Sequence, residues 1–182
     1  MKRHVPNALT LVRIVLTPAV GFFLAADDLA AALPLLAVAA ATDAADGFLA
    51  RRWNAASRLG AYLDPIADKL LAATVFLGLA AAGRLPWWLA GLVLGRDALI
   101  LGFAAWALGR TRIRKFPPSA WGKLSTILQF SLGLACLLDA AAPSGWSRRA
   151  VEALIPLTAA GTAWSGFHYG WLAIRRLGQQ AD

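Results

Sequence analysis

The stretch LAAALPLLAVAAATDAADGFLA, residues 29–50, is apolar for most of its length and then turns acidic, with Asp43 and Asp46 three residues apart near its end. A bilayer-crossing helix needs ~20 such residues. The run shows no alternation of apolar and polar positions, and backbone facing lipid must satisfy its hydrogen bonds within its own segment, so it predicts a membrane helix rather than a strand. Five comparable runs surround it: Leu9–Ala25 before, then Ala61–Ala82, Pro86–Leu108, Ala120–Ala142 and Val151–Leu177 after. Six spans consume about 120 residues, which in a chain of 182 leaves only connections. The expected fold is therefore an all-α integral membrane domain of six transmembrane helices, with residues 1–182 forming a single unit.

Composition agrees. The chain is 59% hydrophobic and 15% charged, with mean hydropathy +0.58, where a soluble domain is ~45–50% apolar and ~25% charged. Disorder, collagen and coiled coil are excluded. The net charge of +8 would raise nucleic-acid binding in a soluble protein, but here the basic residues cluster at the ends of apolar runs, so anionic lipid headgroups are the expected partner and nucleic acid is not. One cysteine, Cys136, and two histidines, His4 and His168, supply neither a disulfide framework nor a zinc site.

Charge placement sets orientation. Lys2, Arg3, Arg51, Arg52, Arg58, Arg110, Arg112, Arg114, Lys115, Arg175 and Arg176 fall at the N-terminus, alternate loops and the C-terminus. The opposite loops hold Arg84, Arg148 and Arg149 beside Asp27, Asp28, Asp139 and Glu152. The positive-inside rule then predicts both termini in the cytoplasm. Residues 1–6 lack the arrangement of a removable signal, so the first span is expected to stay. Trp87, Trp88 and Trp146 sit where interfacial anchors would.

Charges inside spans are costly and mark function by default. Arg13, Lys69, Arg96 and Lys123 are four of them, and Asp43, Asp46, Asp64 and Asp68 are a sharper group. Spacings of three and four place each acidic pair on one helix face, about one turn apart, so both pairs can address one cavity. Four crowded carboxylates repel unless a divalent cation lies among them, and hard oxygen donors suit Mg2+ or Mn2+ acting with substrate phosphates. Gly47, Ala50 and Gly60 between the pairs would let a bulky ligand approach the backbone, and Arg51 offers donors suited to phosphate. Tight helix packing is the commoner reason for small residues in membranes.

The pattern Asp43-x-x-Asp46-Gly47-x-x-Ala50-Arg51, eight residues, then Gly60-x-x-x-Asp64-x-x-x-Asp68 resembles the signature of the CDP-alcohol phosphotransferases. The resemblance implies a six-helix membrane fold, usually a homodimer, that transfers a substituted phosphate from a CDP-linked donor to an alcohol and releases CMP. It implies Asp43, Asp46, Asp64 and Asp68 as ligands to Mg2+ or Mn2+, two ions in all, with Asp68 also the general base on the acceptor hydroxyl. It implies Asp46, Gly47, Ala50, Arg51 and Gly60 against the CDP moiety.

The opening Pro6-Asn7-Ala8-Leu9-Thr10-Leu11-Val12-Arg13 and the run Leu63-Asp64-Pro65-Ile66-Ala67-Asp68-Lys69 are similar to bacterial phosphatidylglycerophosphate synthases and CMP-forming cardiolipin synthases alike. That implies CDP-diacylglycerol as donor. Gly95-Arg96-Asp97 and Phe167-His168-Tyr169-Gly170 resemble the cardiolipin synthases, which makes phosphatidylglycerol the first expectation for the acceptor and glycerol 3-phosphate the second. Lys123-x-x-Thr126-x-x-Gln129 is similar to both groups. Arg96, Arg110, Arg112 and Lys123 are the candidates to hold an acceptor phosphate, although loop arginines also serve topology and Arg96 beside Asp97 equally reads as a structural ion pair.

His168 is read as structural. The His-x-Lys pairs of the phospholipase-D type of cardiolipin synthase are absent. A small ion-coupled transporter would also explain buried charge, but not four carboxylates spaced for one site, and the two halves show no repeat. The expected location is a bacterial plasma membrane, with the active site facing the cytoplasm.

Overall fold

The computed structural model describes residues 5–53, 58–110 and 120–178. These form six helices: α1 Val5–Ala25, α2 Leu29–Trp53, α3 Arg58–Ala81, α4 Trp87–Arg110, α5 Ala120–Ala141 and α6 Gly145–Gly178. Among the described residues there is no strand. Two compact units divide the chain, Met1–Trp87 with α1 to α3 and Trp88–Asp182 with nearly all of α4 to α6. Among the described residues, Ala8–Ala25 of α1 and Ala120–Ala141 of α5 are long and apolar enough to cross a membrane.

Local chemistry sets the helix ends. Pro6 sits in the first turn of α1, where its missing N–H costs nothing. At the other end Asp27 adopts φ 57°. Its N–H bonds the Leu24 carbonyl at 3.1 Å and that of Asp28 bonds Phe23 at 2.9 Å, closing α1 as a Schellman turn with a residue type that tolerates the left-handed conformation. Asp28 then caps α2, its Oδ1 accepting the Ala31 N–H at 3.1 Å. Gly83, at φ +71°, closes α3 in the same manner, with Gly83 N–H on Ala80 and Arg84 N–H on Leu79. Arg84 reaches across to Asp27 with Nε–Oδ1 2.7 Å and Nη2–Oδ2 2.9 Å, tying the α1–α2 and α3–α4 turns together. The hydrogen bond from Arg84 holds the Asp27 carboxyl below its ordinary value.

In the first unit α1 packs against both α2 and α3. The α1–α3 crossing is close because it is built on glycine. A Cβ at Gly21 would lie 2.6 Å from Thr74 Cγ2, and one at Gly78 would lie 2.6 Å from Leu24 Cβ. Without a hydrophobic drive between helices in lipid, such approach supplies the van der Waals contact that holds them. Leu24 is buried and its Cβ cannot swing aside, so Gly78→Val is expected to force the helices apart at a cost of about 1–3 kcal/mol, read as a lowered thermal midpoint of the purified protein in detergent. Gly83→Val, where nothing crowds an added Cβ, tests backbone conformation instead.

In the second unit α5 and α6 share a buried polar seam. Gln129 Nε2 donates to Ser125 Oγ and Thr162 Oγ1, both at 3.3 Å, and Thr158 Oγ1 donates to the Leu128 carbonyl at 3.3 Å. Satisfied polar contacts between small residues are a usual adhesive between membrane helices. The start of α6 is a reciprocal cap, Ser147 N–H on Ser144 Oγ and Ser144 N–H on Ser147 Oγ, both 3.0 Å, with Ser147 Oγ donating to Asp139 at 2.5 Å. Large apolar side chains such as Val15, Phe22, Ile127, Phe130 and Phe167 face outward. A surface of that kind suits lipid better than water.

Candidate active site

Within the first unit, three of the acidic residues singled out in the sequence meet on one face of α1. Asp43 comes from the C-terminal half of α2 and Asp64 and Asp68 from the N-terminal half of α3. Antiparallel neighbours bring these halves to the same end, opposite the Asp27–Arg84 bridge. Arg13 Nη1 lies 2.9 Å from Asp43 Oδ1 and 2.6 Å from Asp68 Oδ1. One guanidinium nitrogen thus serves two helices. Thr10 Oγ1, one turn earlier, donates to Asp64 Oδ1 at 2.6 Å.

Burial is asymmetric. The Arg13 side chain is 0% exposed and those of Asp43 and Asp68 are 54% exposed. The cation is therefore sealed against the helices while the carboxylates open outward, the arrangement expected of groups that must meet a polar ligand. Thr17 Oγ1 donates to the Arg13 carbonyl at 2.8 Å, satisfying an oxygen inside the apolar helix.

Thr10 and Arg13 are the residues that spacing alone did not assign. Arg13 registered as a charge in a span and Thr10 only as part of a family-like opening. The available signal was their separation of three on an apolar helix, which puts a hydroxyl and a guanidinium on one face.

Asp46, Gly47, Ala50 and Arg51 lie on α2, Gly60 on α3 and Arg110 on α4 by backbone position, and their side-chain surroundings are outside the described residues. Arg112, Arg114 and Lys115 are outside them altogether. Among the described residues no group of three His, Cys, Asp or Glu side chains is gathered into a cation cage. The donor set nevertheless fits a hard divalent ion in kind: aspartate oxygens, half open, at one end of a helix pair, with Asp46 one turn beyond Asp43.

In the second unit Arg96 is 7% exposed. Its Nη1 donates to Asp97 at 2.7 Å and its Nη2 to Ser165 Oγ at 2.6 Å, with the guanidinium 5.7 Å from the Tyr169 ring centroid. It is an ion pair locked to α6, consistent with the structural side of its two readings. Lys123 is exposed on α5. His168 stands beside Trp171, ring centroids 6.1 Å apart.

Comparison with known proteins shows the family. The family model for CDP-alcohol phosphatidyltransferase matches residues 3–164. The chain is 37% identical over 176 residues to the CDP-diacylglycerol--glycerol-3-phosphate 3-phosphatidyltransferase of Escherichia coli (strain K12), covering 93% of this chain and 94% of that one. It is 44% identical over 99 residues to a probable cardiolipin synthase (CMP-forming) of Drosophila melanogaster, 54% of this chain but only 31% of that relative's length.

Proposed function

The chain belongs to the CDP-alcohol phosphatidyltransferase family, and from that premise we propose that it transfers a phosphatidyl group from CDP-diacylglycerol to phosphatidylglycerol, forming cardiolipin and releasing CMP. That it is a CDP-diacylglycerol-dependent phosphatidyltransferase follows from the family and from its likeness to the Escherichia coli enzyme. The observation that carries the site assignment is the convergence of Asp43, Asp64 and Asp68 on Thr10 and Arg13.

In this reading Asp43, Asp46, Asp64 and Asp68 hold two Mg2+ or Mn2+ ions. When bound, the ions neutralise the diphosphate and stabilise CMP as it leaves. Asp68 takes the proton from the acceptor hydroxyl, whose oxygen bonds to the phosphorus bearing diacylglycerol while the bond from that phosphorus to the bridging CMP oxygen breaks. Gly47, Ala50 and Gly60 admit the nucleotide to the helix backbone, and Arg51 donates to its phosphates. Arg96, Arg110, Arg112 and Lys123 hold the acceptor. For Arg96 this means acting from its pairing with Asp97, as a fixed charge rather than a mobile arm.

Six spans, cytoplasmic termini, one catalytic domain in each copy of a homodimer and a bacterial plasma membrane complete the proposal. The outward apolar side chains and the basic residues on one set of loops support the topology. The acceptor rests on Gly95-Arg96-Asp97 and on the likeness to a cardiolipin synthase. A second reading, glycerol 3-phosphate, is favoured by the Escherichia coli relative, which aligns over nearly its whole length.

Purified protein supplied with CDP-diacylglycerol and Mg2+ or Mn2+ separates the two. CMP release with phosphatidylglycerol and not with glycerol 3-phosphate is the expected result. The reverse makes the chain a phosphatidylglycerophosphate synthase, and no release with either sends the search to other alcohols.

A further inference from the structure

A fully buried arginine in an apolar helix is costly unless its charge is matched, and removing one partner of such a pair is more damaging than never having had it. Arg13 is matched twice, by carboxylates from two different helices. A residue kept only to fix topology would extend its charge to the headgroup layer, as long basic side chains do. Arg13 instead turns inward, 0% exposed, toward the end of the unit where the acidic residues gather. Thr10 repeats the device one turn away, on Asp64.

We propose that Arg13 is a positioning residue: an internal counter-ion that holds Asp43 of α2 and Asp68 of α3 in convergence before a divalent cation arrives, with Thr10 fixing Asp64 alongside. The inference rests on the reading of these carboxylates as metal ligands and general base. Apposed aspartates without a cation would repel and drive α2 from α3. The guanidinium neutralises part of that repulsion, its planar fork setting Nη1 at a depth and angle between the two carboxylates that the flexible ammonium of lysine does not reproduce. It also leaves the net charge of the acidic group negative, so a metal is still attracted.

The test compares wild type, Arg13→Gln and Arg13→Lys, purified in detergent, by thermal midpoint in EDTA and in saturating Mn2+ and by steady-state CMP release. Wild type is expected to gain stability with Mn2+. Arg13→Gln should melt on the order of 10 °C lower in EDTA, and Mn2+ should restore most of the loss, so that the metal-induced shift is larger in the variant. Arg13→Lys should melt near wild type in EDTA yet turn over roughly ten- to a hundredfold more slowly, with little change in KM for CDP-diacylglycerol, because the base is displaced rather than the substrate pocket.

An equal loss of stability with and without Mn2+ would reduce Arg13 to a packing residue and overturn the proposal. Wild-type kcat in Arg13→Lys would overturn it too, and that variant decides alone should Arg13→Gln fail to fold. A wild type whose midpoint ignores Mn2+ is a different failure: it removes the metal reading itself and takes this proposal with it.

Discussion

Asp68→Asn is expected to stop turnover while leaving the substrate site assembled. The substitution keeps the size and one oxygen of the side chain, so Arg13, 2.6 Å away, retains an acceptor there and keeps its contact with Asp43. What is lost is the capacity to take a proton. General-base catalysis contributes roughly 10^2- to 10^4-fold, so kcat for CMP release should fall by that factor with either acceptor. Mn2+-dependent binding of CDP should change far less, since three aspartates remain. A variant within twofold of wild-type kcat would remove Asp68 from the proton transfer.

The second large effect concerns Asp43. Asp43→Ala deletes a proposed metal ligand and one of the two carboxylates against a sealed guanidinium. Loss of a supporting residue around a metal typically costs roughly 10–100-fold in affinity, and loss of a ligand costs no less. Titration with Mn2+ followed by its paramagnetic resonance, together with Mn2+-dependent retention of CDP, should show binding weakened by at least about a hundredfold. Unchanged binding would break the ligand assignment. Asp43→Asn is the companion variant: it leaves Arg13 a neutral hydrogen-bond acceptor where Asp43→Ala leaves none, so a common loss in both reports on the metal rather than on folding.

Much of the helical layout is readable in the sequence. The apolar run Leu29–Ala50 anticipates α2 at Leu29–Trp53, and Ala120–Ala142 anticipates α5 almost to the residue, because backbone in lipid leaves a long apolar run little choice but helix. The ends were less readable, since hydropathy marks where lipid stops and not where hydrogen bonding stops. The sixth run, cut at Val151 by its neighbouring charges, begins as a helix at Gly145. There Ser144 and Ser147 cap each other and the polar first turn costs nothing. The convergence of Asp43, Asp64 and Asp68 was legible only in part: a spacing of four puts Asp64 and Asp68 on one face of α3, while the side chain of Asp46 lies outside the described residues. The partners of these aspartates on α1 were not legible, because the Arg13 pairing spans |i−j| of 55 and a lone arginine in an apolar run looks the same whether it meets lipid headgroups or carboxylates.

The bridge between Asp27 and Arg84 has a meaning beyond fastening two turns. In the proposed orientation it stands outside the cell, where acidity is set by the surroundings and not by the cytoplasm. Asp27 is the group whose carboxyl is held low by its arginine, so the bridge's contribution is present above the ordinary carboxylate range and is lost only as pH falls through the lowered folded value. The turn after α1 and the turn after α3 therefore stay joined down to a lower pH than an unperturbed carboxylate would allow.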